Sequence, residues 1–478
     1  MIELKNITKE YKTGERKVLA LDDVSLQFPN SGFYIVIGET GCGKTTLINI
    51  LGSFETPTNG EIIVDGTSMN DFSSKMYDDF RCNYLSFISQ NVSVLDLVPE
   101  LTIKENVNLA CFIQNRDFED KKILPILELL KINNQFDEKI INLSGGQIQR
   151  SSIVRAIYRN PKMIIADEPT SSLDENTKEI VIEFLKQLSA KKLVVVVSHD
   201  LSIINEADNV ILLKNGKLEF CKSKVELFKD KDIVDDFLKK DNQKKILKKM
   251  ILDDNSEINQ KRNIIENIVN DIFSEKIKID NYRFAIIPVK YMVKIILDNL
   301  KNRKVRTVIE IVEHTLIFII LSSILILAIK FKEEMLPQIE KNNAIDFNDE
   351  NVATVIKWLI LITGIIILFS IFMSSRSIGH VIRNNKQKIG ILRSIGASHF
   401  SIFAIYFLEF ASILFLALLI SQIFLIETFG ILSDFLSLKN LFRIVIMIGY
   451  WFVISFVSVL LPIIFIAKKS ISSILKKN

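Results

Sequence analysis

The sequence predicts two joined folds: a mixed-sheet α/β domain over residues 1–225 and an all-α domain of four membrane-spanning helices over residues 286–478. Three observations carry this. Short apolar runs bounded by polar or turn residues alternate with helical stretches in the first half, as in a mainly parallel sheet covered on both faces. Four apolar stretches in the second half reach the roughly 20 residues that cross a bilayer. A mean hydropathy of +0.26 coexists with 24% charged residues, a combination that points to one soluble part and one membrane part.

In order along the chain, Ile2–Leu4, Val24–Phe28 and Glu61–Val64 are β-rich and predict an added antiparallel piece, while Phe33–Ile37, Met163–Ala166 and Leu193–Val197 predict buried strands. Residues 226–285 are a charged linker rich in Lys, Asp, Glu and Asn. Apolar residues recur there at helical spacing (Ile246, Leu247, Met250, Ile251, then Ile264, Ile265, Ile268, Ile272), so one or two amphipathic helices are expected. They either pack on the α/β domain or stand in solvent, and a solvated or weakly packed arrangement is favoured. The spans fall near 308–331, 355–375, 400–426 and 444–467.

Charge asymmetry orients the spans. Arg376, Arg383, Lys386, Lys388 and Arg393 lie between the second and third. Lys301, Arg303, Lys304 and Arg306 precede the first, and Lys468, Lys469, Lys476 and Lys477 follow the fourth. All three groups fall on one side, which places the α/β domain and both termini in the cytoplasm of a multi-pass plasma-membrane protein. The N-terminus has no apolar run, so no signal peptide is expected. The four cysteines show no metal spacing and are expected as reduced thiols. A net charge of +4 gives no case for a nucleic-acid partner.

The motif Gly38–Thr46 reads GETGCGKTT between a predicted strand and a predicted helix, the context a phosphate-binding P-loop needs. Its glycines let backbone N–H groups curl round phosphate oxygens at a helix N-terminus. Lys44 is positioned for the β/γ-phosphates and Thr45 for Mg²⁺. Met163–Pro169, MIIADEP, ends a buried strand on Asp167, a second group for the metal, followed by Glu168, a carboxylate suited to take a proton from attacking water.

LSGGQ at Leu143–Gln147 resembles the signature of ABC ATPases. With it come Gln90 in SFISQN, SSLDE at Ser171–Glu175, VVVVSHD with His199, and Tyr11 upstream. The resemblance implies that Gly38, Gly41, Gly43, Lys44, Thr45 and Thr46 hold the ATP phosphates and Mg²⁺, and that Tyr11 stacks on adenine. It also implies that Gln90 contacts the metal and reports on it, Glu168 is the base, and His199 touches the γ-phosphate. Ser144, Gly145, Gly146 and Asp174 then serve the nucleotide of the opposite subunit. One P-loop and one signature per chain imply a homodimer closing on two ATPs.

Ser377–Phe410, containing KQKIGILRSIGAS, resembles the cytoplasmic stretch between the second and third helices of FtsX-type permeases, with Lys388 where that family often has Glu. Asn299–Ile311 is similar to the interfacial helix before the first span, and Leu460–Leu475 to the closing stretch. ATPase first and permease second resembles the MacB-type, or type VII, fusion. The resemblance predicts that Ile389–Gly396 docks near Gln90 and transmits ATPase closure. Glu409, inside the third span, has two readings, packing against protein or snorkelling to the interface, and Pro462 marks a kink. MacB-type chains carry a large outer domain between the first two spans; here only residues 332–353 are available, too few to bury a core. The expected function is ATP-driven export or extraction of an amphipathic peptide, lipid or drug. The alternative is an FtsE–FtsX-like mechanotransmitter that drives an extracytoplasmic partner and moves no cargo. Four spans with a single ATPase exclude a soluble ABC translation factor.

Overall fold

A computed structural model describes residues 1–13, 16–89, 97–198, 203, 206–229, 256–273, 287–330 and 349–429, with ten scattered positions between 445 and 460. They form two compact units: Met1–Pro288 together with Lys386–Ser401, and Val289–Asn385 together with Ile402–Lys468.

Among its described residues the first unit holds two sheets. β1 (Ile2–Thr13), β2 (Arg16–Phe28), β4 (Asn59–Val64) and β5 (Thr67–Ser68) make a four-stranded sheet in the order β2-β1-β4-β5, the antiparallel piece expected from the β-rich start. The other sheet is six-stranded. It joins β3 (Gly32–Ile37), β6 (Leu85–Ile88), β7 (Met163–Asp167), β8 (Leu193–Val197), β9 (Asn209–Lys214) and β10 (Lys217–Ser223) in the order β10-β9-β3-β8-β7-β6. All its pairings are parallel except the β9–β10 hairpin at the edge. β7 and β8 are buried along their whole length, which is why they read as unbroken apolar runs. Alternate residues of each strand serve opposite faces: Ile164 and Val194 join one core, Ile165 and Val195 the other.

Among the described residues, the α-helices that Met1–Pro288 contributes to this unit are α1 (Lys44–Leu51), α2 (Ser74–Asp79), α3 (Ile103–Ile113), α4 (Asp120–Leu129), α5 (Gly145–Tyr158), α6 (Glu175–Ser189), α7 (Lys224–Lys229) and α8 (Ser256–Phe273). A five-residue π-helical turn, Phe80–Tyr84, leads into β6. α8 corrects the expectation of a solvated or weakly packed linker. Ile265, Ile268, Val269 and Ile272 are buried in the same core as α6, and Arg262 pairs with Glu183 at 3.1 Å. An i, i+3, i+4, i+7 stripe removes enough apolar surface from water, at about 25 cal/mol per Å², to hold a helix whose other face is charged. The earlier stripe, Ile246 to Ile251, lies outside the described residues.

In the second unit, α9 (Val289–Asn302) precedes α10 (Lys304–Lys330), α11 (Asp349–Asn384) and, after the short α12 (Lys386–Ser394) of the first unit, α13 (His399–Phe429). Among the described residues, three stretches are long and apolar enough to cross a membrane: Lys304–Ile324, Ile360–Asn384 and His399–Phe424. The fourth expected span, 444–467, falls largely outside the described residues, as do Pro462 and most of the 332–353 interval. α11 runs for 36 residues. At 1.5 Å per residue that is about 54 Å, more than a bilayer core of roughly 30 Å. α11 continues past the expected end of its span, 375, as far as Asn384, because the basic region there contains no proline and only one glycine.

Candidate nucleotide site and the segment beside it

The nucleotide site is assembled where β3, β7 and β8 end. β3 runs into the turn Gly38–Gly43, and α1 starts at once on Lys44. Gly43 is the N-cap of α1, with φ +106°, and a Cβ there would stand 2.3 Å from the Ala20 carbonyl oxygen, so only glycine fits. Gly38 and Gly41 also have positive φ. Lys44 is buried, and its Nζ donates to the carbonyls of Gly38 and Glu39 at 2.8 and 2.9 Å. The Thr45 hydroxyl donates to Asp167 Oδ2 at 3.3 Å, bringing the P-loop and the end of β7 together.

Glu168 follows Asp167 with φ +48°, a left-handed conformation uncommon for a residue with a side chain. Its N–H donates to Val197 O at 2.8 Å, and its carboxylate accepts from Ser198 Oγ at 3.1 Å. Backbone and side chain are therefore both tied to the end of β8. Tyr11, on β1, donates its hydroxyl to Glu55 and lies 3.4 Å from Thr46 Oγ1. Partial burial and the Glu55 carboxylate raise its phenol above the ordinary range. Gln90 and His199 lie outside the described residues.

The signature stands at the N-terminus of α5. Ser144 is its N-cap: Ser144 Oγ accepts from Gln147 N at 3.4 Å and Gln147 Oε1 from Ser144 N at 2.9 Å, a reciprocal capping box. Ser144 and Gly145 are exposed, and Gly146 is half-buried with its Cα hydrogen towards Ser172 O. Asp174 caps α6 through Thr177 N at 3.1 Å and Thr177 Oγ1 at 2.7 Å, bonds that hold its carboxyl below the usual range. The hydrogen bonds thus join Thr45 to Asp167 and Glu168 to Ser198, while Ser144 and Asp174 bond locally on open helix ends.

Gln149 was not anticipated. It is fully buried, donates to Pro169 O at 2.7 Å and accepts from Ser172 N and Oγ, joining α5 to the turn after Glu168. Its place two residues beyond the signature was the only available signal.

Residues 386–401 belong to the same compact unit. Lys388 Nζ is 2.5 Å from Glu100 Oε1, with both side chains almost wholly buried. Arg81 Nε donates to Arg393 O at 3.2 Å. Burial, and then the neighbouring Arg81, push the Arg393 guanidinium down to about 10, still cationic at neutral pH. Gly396 has φ +92°, and a Cβ there would be 2.6 Å from Cys82 Cβ. Lys388, which departs from the resembling family's Glu, is thereby explained: its partner here is an acid.

The second unit contains a buried polar cluster. Glu409, 1% exposed, accepts from Arg303 Nη2 at 2.5 Å and Asn299 Nδ2 at 2.9 Å. Glu310 takes Arg306 Nε at 3.2 Å and the Ser377 hydroxyl, with Arg303 Nη1 at 3.5 Å. His314 spans Glu310 O and Ser374 Oγ at 2.8 and 2.9 Å. Glu409 therefore packs against protein; the snorkelling alternative is excluded by its burial.

The first half of the chain is similar to known proteins. The ABC transporter family model matches residues 21–171. An uncharacterized ABC transporter ATP-binding protein of Methanocaldococcus jannaschii, MJ0796, is 37% identical over 227 residues, covering 46% of this chain and 95% of that protein. The macrolide export ATP-binding/permease protein MacB of Haemophilus ducreyi is 33% identical over 221 residues, but the match spans only 31% of its length. The lipoprotein-releasing system ATP-binding protein LolD of Wigglesworthia glossinidia brevipalpis is 33% identical over 222 residues, 96% of that protein. A solved post-hydrolysis dimer of MJ0796 with ADP and Pi aligns at a TM-score of 0.44 and 35% identity, covering 47% of this chain. The first unit is an α/β P-loop ATPase of the kind that powers ABC transporters. The chain belongs to the ABC transporter family, an ATP-hydrolysing domain joined to apolar helices that fit a membrane.

Proposed function

We propose that this chain is an ATP-driven transporter that works as a homodimer and exports or extracts an amphipathic cargo, with residues 386–401 carrying ATPase closure to the membrane helices. One observation carries this reading: a segment flanked in sequence by two apolar helices is built into the ATPase unit through Lys388–Glu100, Arg81–Arg393 O and the Gly396–Cys82 approach.

Thr45 and Asp167 offer a hydroxyl and a carboxylate in one place, the donor set a hard divalent cation takes, so the site suits Mg²⁺. When bound, Mg²⁺ would neutralise charge on the phosphates. Lys44 and Gly38–Thr46 bind those phosphates, Tyr11 supports the adenine side, and Glu168 accepts the proton from attacking water, with Gln90 and His199 assisting. Ser144, Gly145, Gly146 and Asp174, on open helix ends, serve the partner subunit's nucleotide. The basic runs place the ATPase and both termini in the cytoplasm. α10 ends at Lys330 and α11 begins at Asp349, an interval too short for a cargo chamber, so cargo enters from the bilayer. The names of two relatives, macrolide export and lipoprotein release, fit an amphipathic cargo.

Reconstitution of the full chain in lipid vesicles tests this. Amphipathic peptides, lipids and macrolides are added while ATP hydrolysis and cargo movement are followed. Stimulation with movement is expected, and Arg393→Glu should retain basal hydrolysis but lose the stimulation. Unchanged stimulation in Arg393→Glu overturns the role of the segment. Hydrolysis that responds only to an outer protein, with no cargo moved, would make the chain a mechanotransmitter.

A further inference from the structure

Arg159 is the residue after α5, and its side chain is among the largest that are wholly enclosed, at 1% exposure. Its Nη2 donates to Cys82 O at 2.6 Å and Arg81 O at 2.9 Å, and lies 3.4 Å from Ile395 O. Its own carbonyl accepts from Arg116 Nη1 at 2.8 Å. Arg81 meanwhile takes Arg393 O. The last carbonyls of α12 and the turn after it thus face two buried guanidiniums. That is the placement expected of cations at helix C-termini, where the unpaired carbonyls carry partial negative charge. Gly396, next along, is seated against Cys82, whose carbonyl Arg159 also holds.

The other end of α5 is the signature. The helix has 14 residues, so it spans about 21 Å from Ser144 to Arg159. Gln149 ties its middle to the turn after Glu168. A displacement of the signature end is thus a displacement of Arg159, because a single helix resists bending over so short a length.

We propose that Arg159 is a positioning residue that makes the Arg393–Gly396 turn follow the signature helix, so that closure of the signature on nucleotide is felt at that turn. The inference rests on the reading of 386–401 as the transmitting segment. Ordinary core arginines would only saturate carbonyls; what sets Arg159 apart is that its carbonyls come from both sides of this contact, the Phe80–Tyr84 turn and the 386–401 segment.

The test is amide hydrogen exchange of residues 393–397 in the full chain, in lipid nanodiscs, with and without ATP, on the Glu168→Gln background. ATP is expected to change protection there in the parent. Arg159→Met should abolish that change while ATP binding, measured by fluorescent nucleotide titration, is retained. Should Arg159→Met fail to fold, Arg159→Lys keeps the charge but ends one bond short of Nη2, which makes all three of these carbonyl contacts, and is expected to lose most of the change. Arg116→Met, altering the same carbonyl network from the far side, should keep it. An ATP-dependent change of parental size in Arg159→Met or Arg159→Lys overturns the proposal and leaves the transmitting segment standing. No ATP-dependent change in the parent removes both.

Discussion

Arg159 in the ATPase unit is wholly buried and Arg303 in the membrane unit partly so, and the two cations are satisfied by different chemistry. Arg159 is held by backbone carbonyls at the ends of short helical elements. Arg303 is held by two carboxylates, Glu409 and Glu310. In the ATPase, clustered helix ends supply several partial charges at once, and burial is offset without a formal counter-ion, although it still works against the charge on Arg159. Arg303, between the end of α9 and the start of α10, meets two carboxylates instead, so full negative charges rather than helix-end dipoles offset its partial burial. The surroundings thus decide whether a dipole is enough.

That contrast can be broken by experiment. Glu409→Ala leaves the partly buried Arg303 with one carboxylate fewer and should cost up to about 3–5 kcal/mol, the range for removing one partner of a buried pair. The check is thermal unfolding of the full chain in detergent, and replacing Arg303 and Glu409 together by Met should recover most of the loss. A cost for Glu409→Ala below that of an exposed pair would show that the carboxylate is dispensable. Arg159→Met removes a cation but strands only carbonyls, of which Cys82 O keeps Gln114 Nε2 at 2.8 Å. About 1–3 kcal/mol is expected from denaturant unfolding of the same protein. The smallest effect is expected at Arg262, 47% exposed in its pair with Glu183. Arg262→Ala should cost no more than about 1 kcal/mol, and Glu183 retains Gln187 at 2.7 Å. A reversed order among the three would mean that burial and partner type do not govern these arginines.

The parts of the molecule legible in the sequence share one property: their signals are local. Gly38–Thr46 needs only a strand, a turn and a helix in succession, and Met163–Asp167 needs only its own apolar run. All four expected spans are read from length and hydropathy, and three of them fall on long apolar helices of the described residues. Their ends were less legible, since α11 continues to Asn384, past the expected end of its span. α8 was misjudged as solvated or weakly packed because its charged face dominates the composition, whereas the four residues that bury it are few and widely spaced.

What the sequence determined by itself is therefore the chemistry: an ABC-type ATPase, its phosphate loop, acid pair and signature, and apolar helices after it. What only the tertiary structure decided is which distant groups meet. Lys388 finds Glu100, Arg81 finds a carbonyl 312 residues away and Arg159 one 236 residues away. A motif is a short stretch of chain whose backbone geometry its own residues dictate. A buried ion pair or capped carbonyl depends on surfaces brought together by folding, and no local pattern encodes the partner.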